Sequence, residues 1–217
     1  MALPQQIRGN TSRISMDLPE FSELTFEILY CKRCPLHLGR TCVVPGAGAR
    51  NPELFFVGEG PGEDEDKQGL PFVGRSGKLL TSAIAAAGLT REQVFISNVV
   101  KCRPPNNRDP LPEEVAACMP YLHKQIQLLS PKVVVAVGRI AATQLLGREV
   151  RITKERGKLD FLPFNPDILV SIVYHPSYVL RNRHTRIEED FFQDILHARE
   201  IAYGDLPTAG VFEGNSG

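Results

Sequence analysis

The stretch Leu54-Phe55-Phe56-Val57-Gly58-Glu59-Gly60-Pro61-Gly62 passes from four apolar residues straight into a glycine-rich turn. A short apolar run of this kind matches a strand buried on both faces, and glycine lets the chain turn sharply with its amides close to a ligand. Three further apolar runs, Val94 to Val99, Val133 to Val137 and Ile168 to Val173, share the β-branched character of buried strands. Helical stretches lie between and after them. Ser76 to Ala87 ends at Gly88, a second helix starts at Pro112 with Glu113 and Glu114 in its first turn, Arg139 to Leu146 stops at Gly147, and Glu188 to Tyr203 closes the series. The alternation predicts βαβ units: a parallel sheet with helices on both faces, whose functional groups gather at the carboxyl ends of the strands.

By that rule Gly58–Gly62, Asn98 and His175 fall on one rim. The glycine turn does not read as a phosphate loop. Glu63 stands where a dinucleotide fingerprint needs its third glycine, no Gly-Lys-Ser/Thr ending follows, and Glu63-Asp64-Glu65-Asp66 would repel phosphates. Glu59 and Glu65 suit the polarising of water or the stabilising of an oxocarbenium-like sugar. Taken alone, the segment reads equally as a solvated acidic loop.

Asn98 ends the second strand. Its carboxamide offers one donor and one acceptor, which matches the O4 and N3–H of uracil's pairing edge. Flipped, it would suit cytosine, so discrimination requires contacts that fix the amide. His175, in Tyr174-His175-Pro176-Ser177-Tyr178, is held extended by the following proline and can donate to a departing base. An Asn at a strand end is also a common turn residue, and a His before Pro is also a common structural one.

Cys31-Lys32-Arg33-Cys34 is a close pair, Cys102 and Cys118 form a second, and Cys42 is left over. Four thiolates complete either a tetrahedral zinc site or an iron–sulfur cubane, and unrelated buried thiols remain a third reading.

The bulk numbers set the class. With 217 residues, 42% of them hydrophobic and 23% charged, the expectation is one globular domain over residues 21–205, between mobile tails at 1–20 and 206–217. The 25 basic and 25 acidic residues cancel, so any nucleic-acid footprint must be local. Met1 to Glu20 holds no apolar signal segment and no run is long enough for a membrane span, which gives a cytoplasmic protein as the expectation; a monomer is expected as well.

Across roughly Tyr30 to Arg183 these motifs resemble the family 4, iron–sulfur type uracil-DNA glycosylases. The resemblance implies a three-layer α/β/α fold around a central four-stranded parallel sheet, and a [4Fe–4S] cluster held by Cys31, Cys34, Cys102 and Cys118. It implies that Glu59 and Gly60 line the uracil and water site, that Glu65 lies near the base's C5 and excludes thymine, and that Phe72 stacks on the base. Asn98 then reads uracil and His175 assists its departure, with Glu59, Glu65 and His175 as the catalytic set. Phe72 alone would read as core packing.

The partner is uracil-containing DNA, single- or double-stranded. A base inside a duplex must be flipped out before it can be attacked. The segment Ser177-Tyr178-Val179-Leu180-Arg181 resembles the family's wedge, with Val179 where a bulkier leucine is common. Tyr178, Val179 and Leu180 are the wedge candidates; Lys101, Arg103, Arg108, Arg181, Arg183 and Arg186 are the candidate phosphate contacts. The alternatives are a glycosylase of broader damaged-base specificity and a non-catalytic iron–sulfur DNA-binding module. Covalent trapping on the abasic product is disfavoured, since no histidine lies between Asn98 and Tyr121.

Overall fold

The computed structural model describes residues 19–204. In chain order the elements are α1 (Pro19–Leu29), β1 (Ala47–Gly48), β2 (Leu54–Gly58), α2 (Glu63–Gln68), α3 (Arg75–Ala86), β3 (Phe95–Asn98) and α4 (Pro112–Leu129). There follow β4 (Val133–Val137), α5 (Arg139–Leu146), α6 (Ile152–Glu155), β5 (Leu159–Leu162), β6 (Asn165–Val173), α7 (Pro176–Arg181) and α8 (Arg186–Tyr203). Short 3-10 turns occupy Pro35–Leu38 and Pro105–Asn107.

The sheet has six strands in the order β1-β3-β2-β4-β6-β5. The four strands expected from the apolar runs are its parallel centre, and the count of four is corrected by an antiparallel strand at each edge. Neither edge carries a buried-strand signal. β1 is two residues long, and β5, Leu-Asp-Phe-Leu, is mostly only partly covered. The expected N-terminal tail is shortened, because Pro19 and Glu20 begin α1; the rest of both expected tails lies outside the described residues.

Alternate residues of each central strand feed two cores. Phe55, Val57, Val134 and Ala136 pack with α1, α4 and α5 side chains such as Phe21, Leu122 and Leu145. Leu54, Phe56, Val133 and Val135 pack on the other face with Leu80, Ile84, Phe191 and Ile195 of α3 and α8. These strands are apolar at every position because both faces are covered; each fully buried Phe or Leu contributes about 1.5–3 kcal/mol. The chain leaves β2 for β3 on one side and returns to β4 on the other, so the crevice above the ends of β2 and β4 is a topological switch point, where ligands bind in such sheets.

Candidate active site

A pocket of about 380 Å³ opens at that crevice, lined by Glu59, Gly60, Pro61, Gly62, Glu65, Phe72, Ser76, Asn98, Asn107, Asp109, His175 and Ser177 among others. Every residue expected to touch the base is in this lining.

Asn98 lies at the pocket's inner end and is 1% exposed. Its main-chain oxygen accepts from Lys101 Nζ at 2.7 Å, whereas neither its Oδ1 nor its Nδ2 has a hydrogen-bond partner among the described residues. An unpaired buried amide costs about 1–3 kcal/mol, so this one is built for something that pairs with it. Among the described residues no hydrogen bond fixes which way the amide points. Gly58 makes the approach possible: a Cβ there would lie 2.5 Å from both Asn98 Oδ1 and the Phe72 ring.

Phe72 is buried, and its ring centroid lies 6.4 Å from that of His175. Its backbone is left-handed, with φ 51°. His175 Nδ1 faces the Ser177 hydroxyl at 2.7 Å and accepts from the Ser177 backbone N–H at 3.2 Å. An accepting Nδ1 leaves the neutral ring's proton on Nε2. Burial, with Arg181 nearby, pushes the imidazole down to about 4, so the ring is a neutral donor at physiological pH.

The two carboxylates divide sharply. Glu65 Oε1 accepts from the N–H groups of Val73 at 2.8 Å and Gly74 at 2.9 Å, and Oε2 from that of Gly62 at 3.1 Å. It ties the acidic helix α2 to the loop carrying Phe72. Burial, reinforced by Asp109 and opposed by Arg139, raises Glu59 to about 7.

Three relatives share most of their length with this chain, and all three are named type-4 uracil-DNA glycosylases. The one from Thermotoga maritima is 49% identical over 185 residues, 84% of this chain and 95% of the relative. That from Sulfurisphaera tokodaii is 49% identical over 173 residues, 76% of this chain and 79% of the relative, and that from Archaeoglobus fulgidus 41% over 196 residues, 88% and 98%. The uracil DNA glycosylase superfamily model matches residues 45–198. The chain belongs to the type-4 uracil-DNA glycosylases.

In this type-4 glycosylase Cys31, Cys34, Cys102 and Cys118 converge on one cavity between α1, the 35–38 turn and α4, with Arg40, Lys101 and Tyr121 around them. All are free thiols, and Cys42 lies apart, its thiol facing the Lys67 carbonyl at 3.8 Å. Three of the four sulfurs receive N–H donors: Cys31 from Arg33 N at 3.4 Å, Cys102 from Arg40 Nη1 at 3.1 Å, and Cys118 from Lys101 N at 3.3 Å. Burial raises Cys34 and Cys102 and pushes Cys118 to about 11. Among the described residues no three His, Cys, Asp or Glu side chains are grouped to hold a single metal ion. Four soft donors around a common cavity, three of them receiving N–H groups, are the donor set of a thiolate-bound metal or iron–sulfur site.

The DNA-facing expectations of the glycosylase need two corrections. Lys101 is 1% exposed and its ammonium donates to Ser97 Oγ, the Asn98 carbonyl and Gln125 Oε1 at 2.7 to 2.8 Å, which spends all three protons inside the fold and leaves none for a phosphate. Val179 is fully buried against the α3–α8 core and does not project as a wedge. Its neighbours Tyr178 and Leu180 are only partly covered, and Tyr178 packs on Tyr174 with ring centroids 5.2 Å apart. Arg108 is committed to Glu114 through two bonds of 2.7 and 2.8 Å, and Arg103 to Asn107 at 2.7 Å. Arg181, Arg183 and Arg186 are exposed, the last two beside Glu188 and Asp190. Asp109 and Ser76 join the pocket without having been foreseen; the polar turn Asn107-Arg108-Asp109-Pro110 was the available signal. Among the described residues no helix is long and apolar enough to cross a membrane.

Proposed function

We propose that the pocket takes deoxyuridine flipped out of DNA and hydrolyses its N-glycosidic bond, releasing uracil and leaving an abasic site. The observation that carries this is the unpartnered, buried Asn98 carboxamide beside the Phe72 ring in the pocket lining, with one donor and one acceptor to offer. Phe72 stacks on the base, and stacking with hydrogen bonds offsets the few kcal/mol of unstacking. Nε2–H of His175 donates to O2 as negative charge gathers on the departing uracil. A neutral donor is suited to this task, because it strengthens its bond to O2 as the charge develops without holding a salt bridge beforehand.

Glu59, not Glu65, is assigned to the water and the oxocarbenium-like sugar. The oxygens of Glu65 already accept three backbone N–H groups, whereas Glu59 lines the pocket as a half-buried carboxyl. Glu65 acts by holding the wall that carries Phe72. Cys31, Cys34, Cys102 and Cys118 would hold a [4Fe–4S] cluster, which supplies a crosslink between α1, the 35–38 turn and the segment after β3. Leu180 and Tyr178 remain for the space left by the flipped nucleotide, and Arg181 and Arg103 are the residues assigned to the phosphates.

Incubation with uracil-containing single- and double-stranded oligonucleotides, followed by alkali, tests the reading: strand breaks at uracil are expected. Binding without breaks would instead favour a non-catalytic DNA-binding module, and breaks at other damaged bases in equal measure the broader specificity.

A further inference from the structure

Phe72 holds a costly conformation, since an aromatic residue at φ 51° is rare outside tight functional turns. Its ring is held in the pocket only if something keeps the main chain there. Two groups do so from opposite sides. Glu65 accepts the N–H groups of Val73 and Gly74, immediately after the residue. Arg91, beyond the end of α3, takes the carbonyls: Nη1 donates to Phe72 O at 2.9 Å and Nη2 to Pro71 O at 2.6 Å. Nη1 also reaches Thr81 Oγ1 at 3.0 Å, and that hydroxyl donates to Gly77 O at 2.9 Å, so the guanidinium is anchored to α3. The backbone of α3 presses directly on the loop, for a Cβ at Gly77 would lie 2.0 Å from the Phe72 carbonyl carbon. Arg91 itself is absent from the pocket lining; it faces the outer side of the loop with Leu70 and Val73.

From this geometry we infer that Arg91 is a positioning residue for base recognition, clamping the main chain of Phe72 so that its ring meets the flipped base. The inference rests on Phe72 being the stacking aromatic. A planar fork that bonds two successive carbonyls and a hydroxyl is a task lysine cannot reproduce, because a single ammonium on a flexible stem does not span them. The ring's position is then prepared before the base arrives, and the loss of the clamp is felt as weaker substrate capture more than as slower bond cleavage.

The test is a double-mutant cycle on single-stranded uracil oligonucleotides, run well below the melting temperature of every variant and normalised to folded protein. Arg91→Ala is expected to lower kcat/KM about tenfold to a hundredfold, chiefly through KM, which is the range of one lost base stack. Phe72→Ala should lose a similar factor, and the double variant no more than Phe72→Ala alone. Arg91→Lys should fall between Arg91→Ala and the parent, with faster amide exchange at Val73 and Gly74, and it keeps the test open if Arg91→Ala does not fold. Losses that multiply in the double variant, a parental kcat/KM in Arg91→Ala, or unchanged exchange in Arg91→Lys would each overturn the clamp. A parental kcat/KM in Phe72→Ala would instead remove the stacking role, and the clamp's purpose with it.

Discussion

The backbone N–H of Ser177 points at Nδ1 of His175 from 3.2 Å, two residues along the same chain, where α7 begins. Pro176 at the first helical position has no N–H to satisfy, the N–H of Ser177 has no carbonyl one turn back, and the imidazole is its cap acceptor. The tautomer is thus written into a helix start. His175→Ala should lower kcat by about two to three orders of magnitude, the range for removing one donor to a developing anion. Ser177→Ala keeps the backbone N–H and should cost less than about tenfold. Single-turnover rates on a uracil oligonucleotide measure both; equal losses would show that the hydroxyl, not the backbone, sets the ring.

The pH dependence follows from Glu59 at about 7 and His175 at about 4. If the carboxylate of Glu59 is the active form, kcat/KM should rise about tenfold per pH unit below 7 and level off above it, with no second limb from His175 until about pH 4. Glu59→Gln should be slow and flat over the same range. A rising limb that persists in Glu59→Gln would place the ionisation elsewhere.

The same two groups act oppositely on stability. Glu59 is raised from 4.5, so the folded chain keeps a proton that the unfolded chain releases, and stability falls as pH rises from 4.5 to 7. His175 is lowered from 6.5, so the unfolded chain takes its proton first, and stability falls as pH drops from 6.5 toward 4. Removing Glu59 exposes the histidine's slope. Between pH 6.5 and 4.5, Glu59→Gln should therefore lose more stability than the parent, by on the order of 1–3 kcal/mol in urea melts.

The parallel core was legible because strands covered on both faces must be apolar at every position, and Val133–Val137 begins and ends where its sequence does. The edge strands were not, because a two-residue bridge and a half-covered hairpin arm carry no such requirement. The pocket was legible as a rim, since strand ends gather by topology whatever the side chains do. The division between Glu59 and Glu65 was not, because it depends on which backbone N–H groups face which carboxylate. Lys101 and Val179 misled for a related reason: a lysine near a cysteine and a valine in a basic segment look like surface, and only the packing of β3 against α4 and of α7 against α3 buries them.

Glu65→Gln separates holding from chemistry. It keeps one acceptor oxygen and turns the other into a donor facing a backbone N–H, so it should destabilise the fold by about 1–3 kcal/mol and loosen the 71–74 loop. Glu59→Gln should instead cost about two to three orders of magnitude in kcat while its melting temperature at pH 7 rises, because the neutral amide escapes the burial penalty that the carboxylate carries there. Paired melts and kinetics decide between the roles, and a stable, inactive Glu65→Gln would return the water to Glu65.

Lys101→Met tests whether that residue belongs to the fold or to the DNA. Its ammonium bonds Ser97, Gln125 and the carbonyl of Asn98, while its main-chain N–H faces Cys118, so it joins the cysteine cavity to the base-reading strand. Burial lowers it to about 8, yet three acceptors within 2.8 Å suit the charged form. Removing it leaves buried neutral acceptors unpaired and should cost about 1–3 kcal/mol. The slope of log binding constant against log salt should stay at the parental value, whereas Arg181→Ala should reduce it by about one unit while leaving the melting temperature nearly unchanged. A reduced slope in a Lys101→Met protein of parental stability would mean that the lysine turns outward to meet a phosphate.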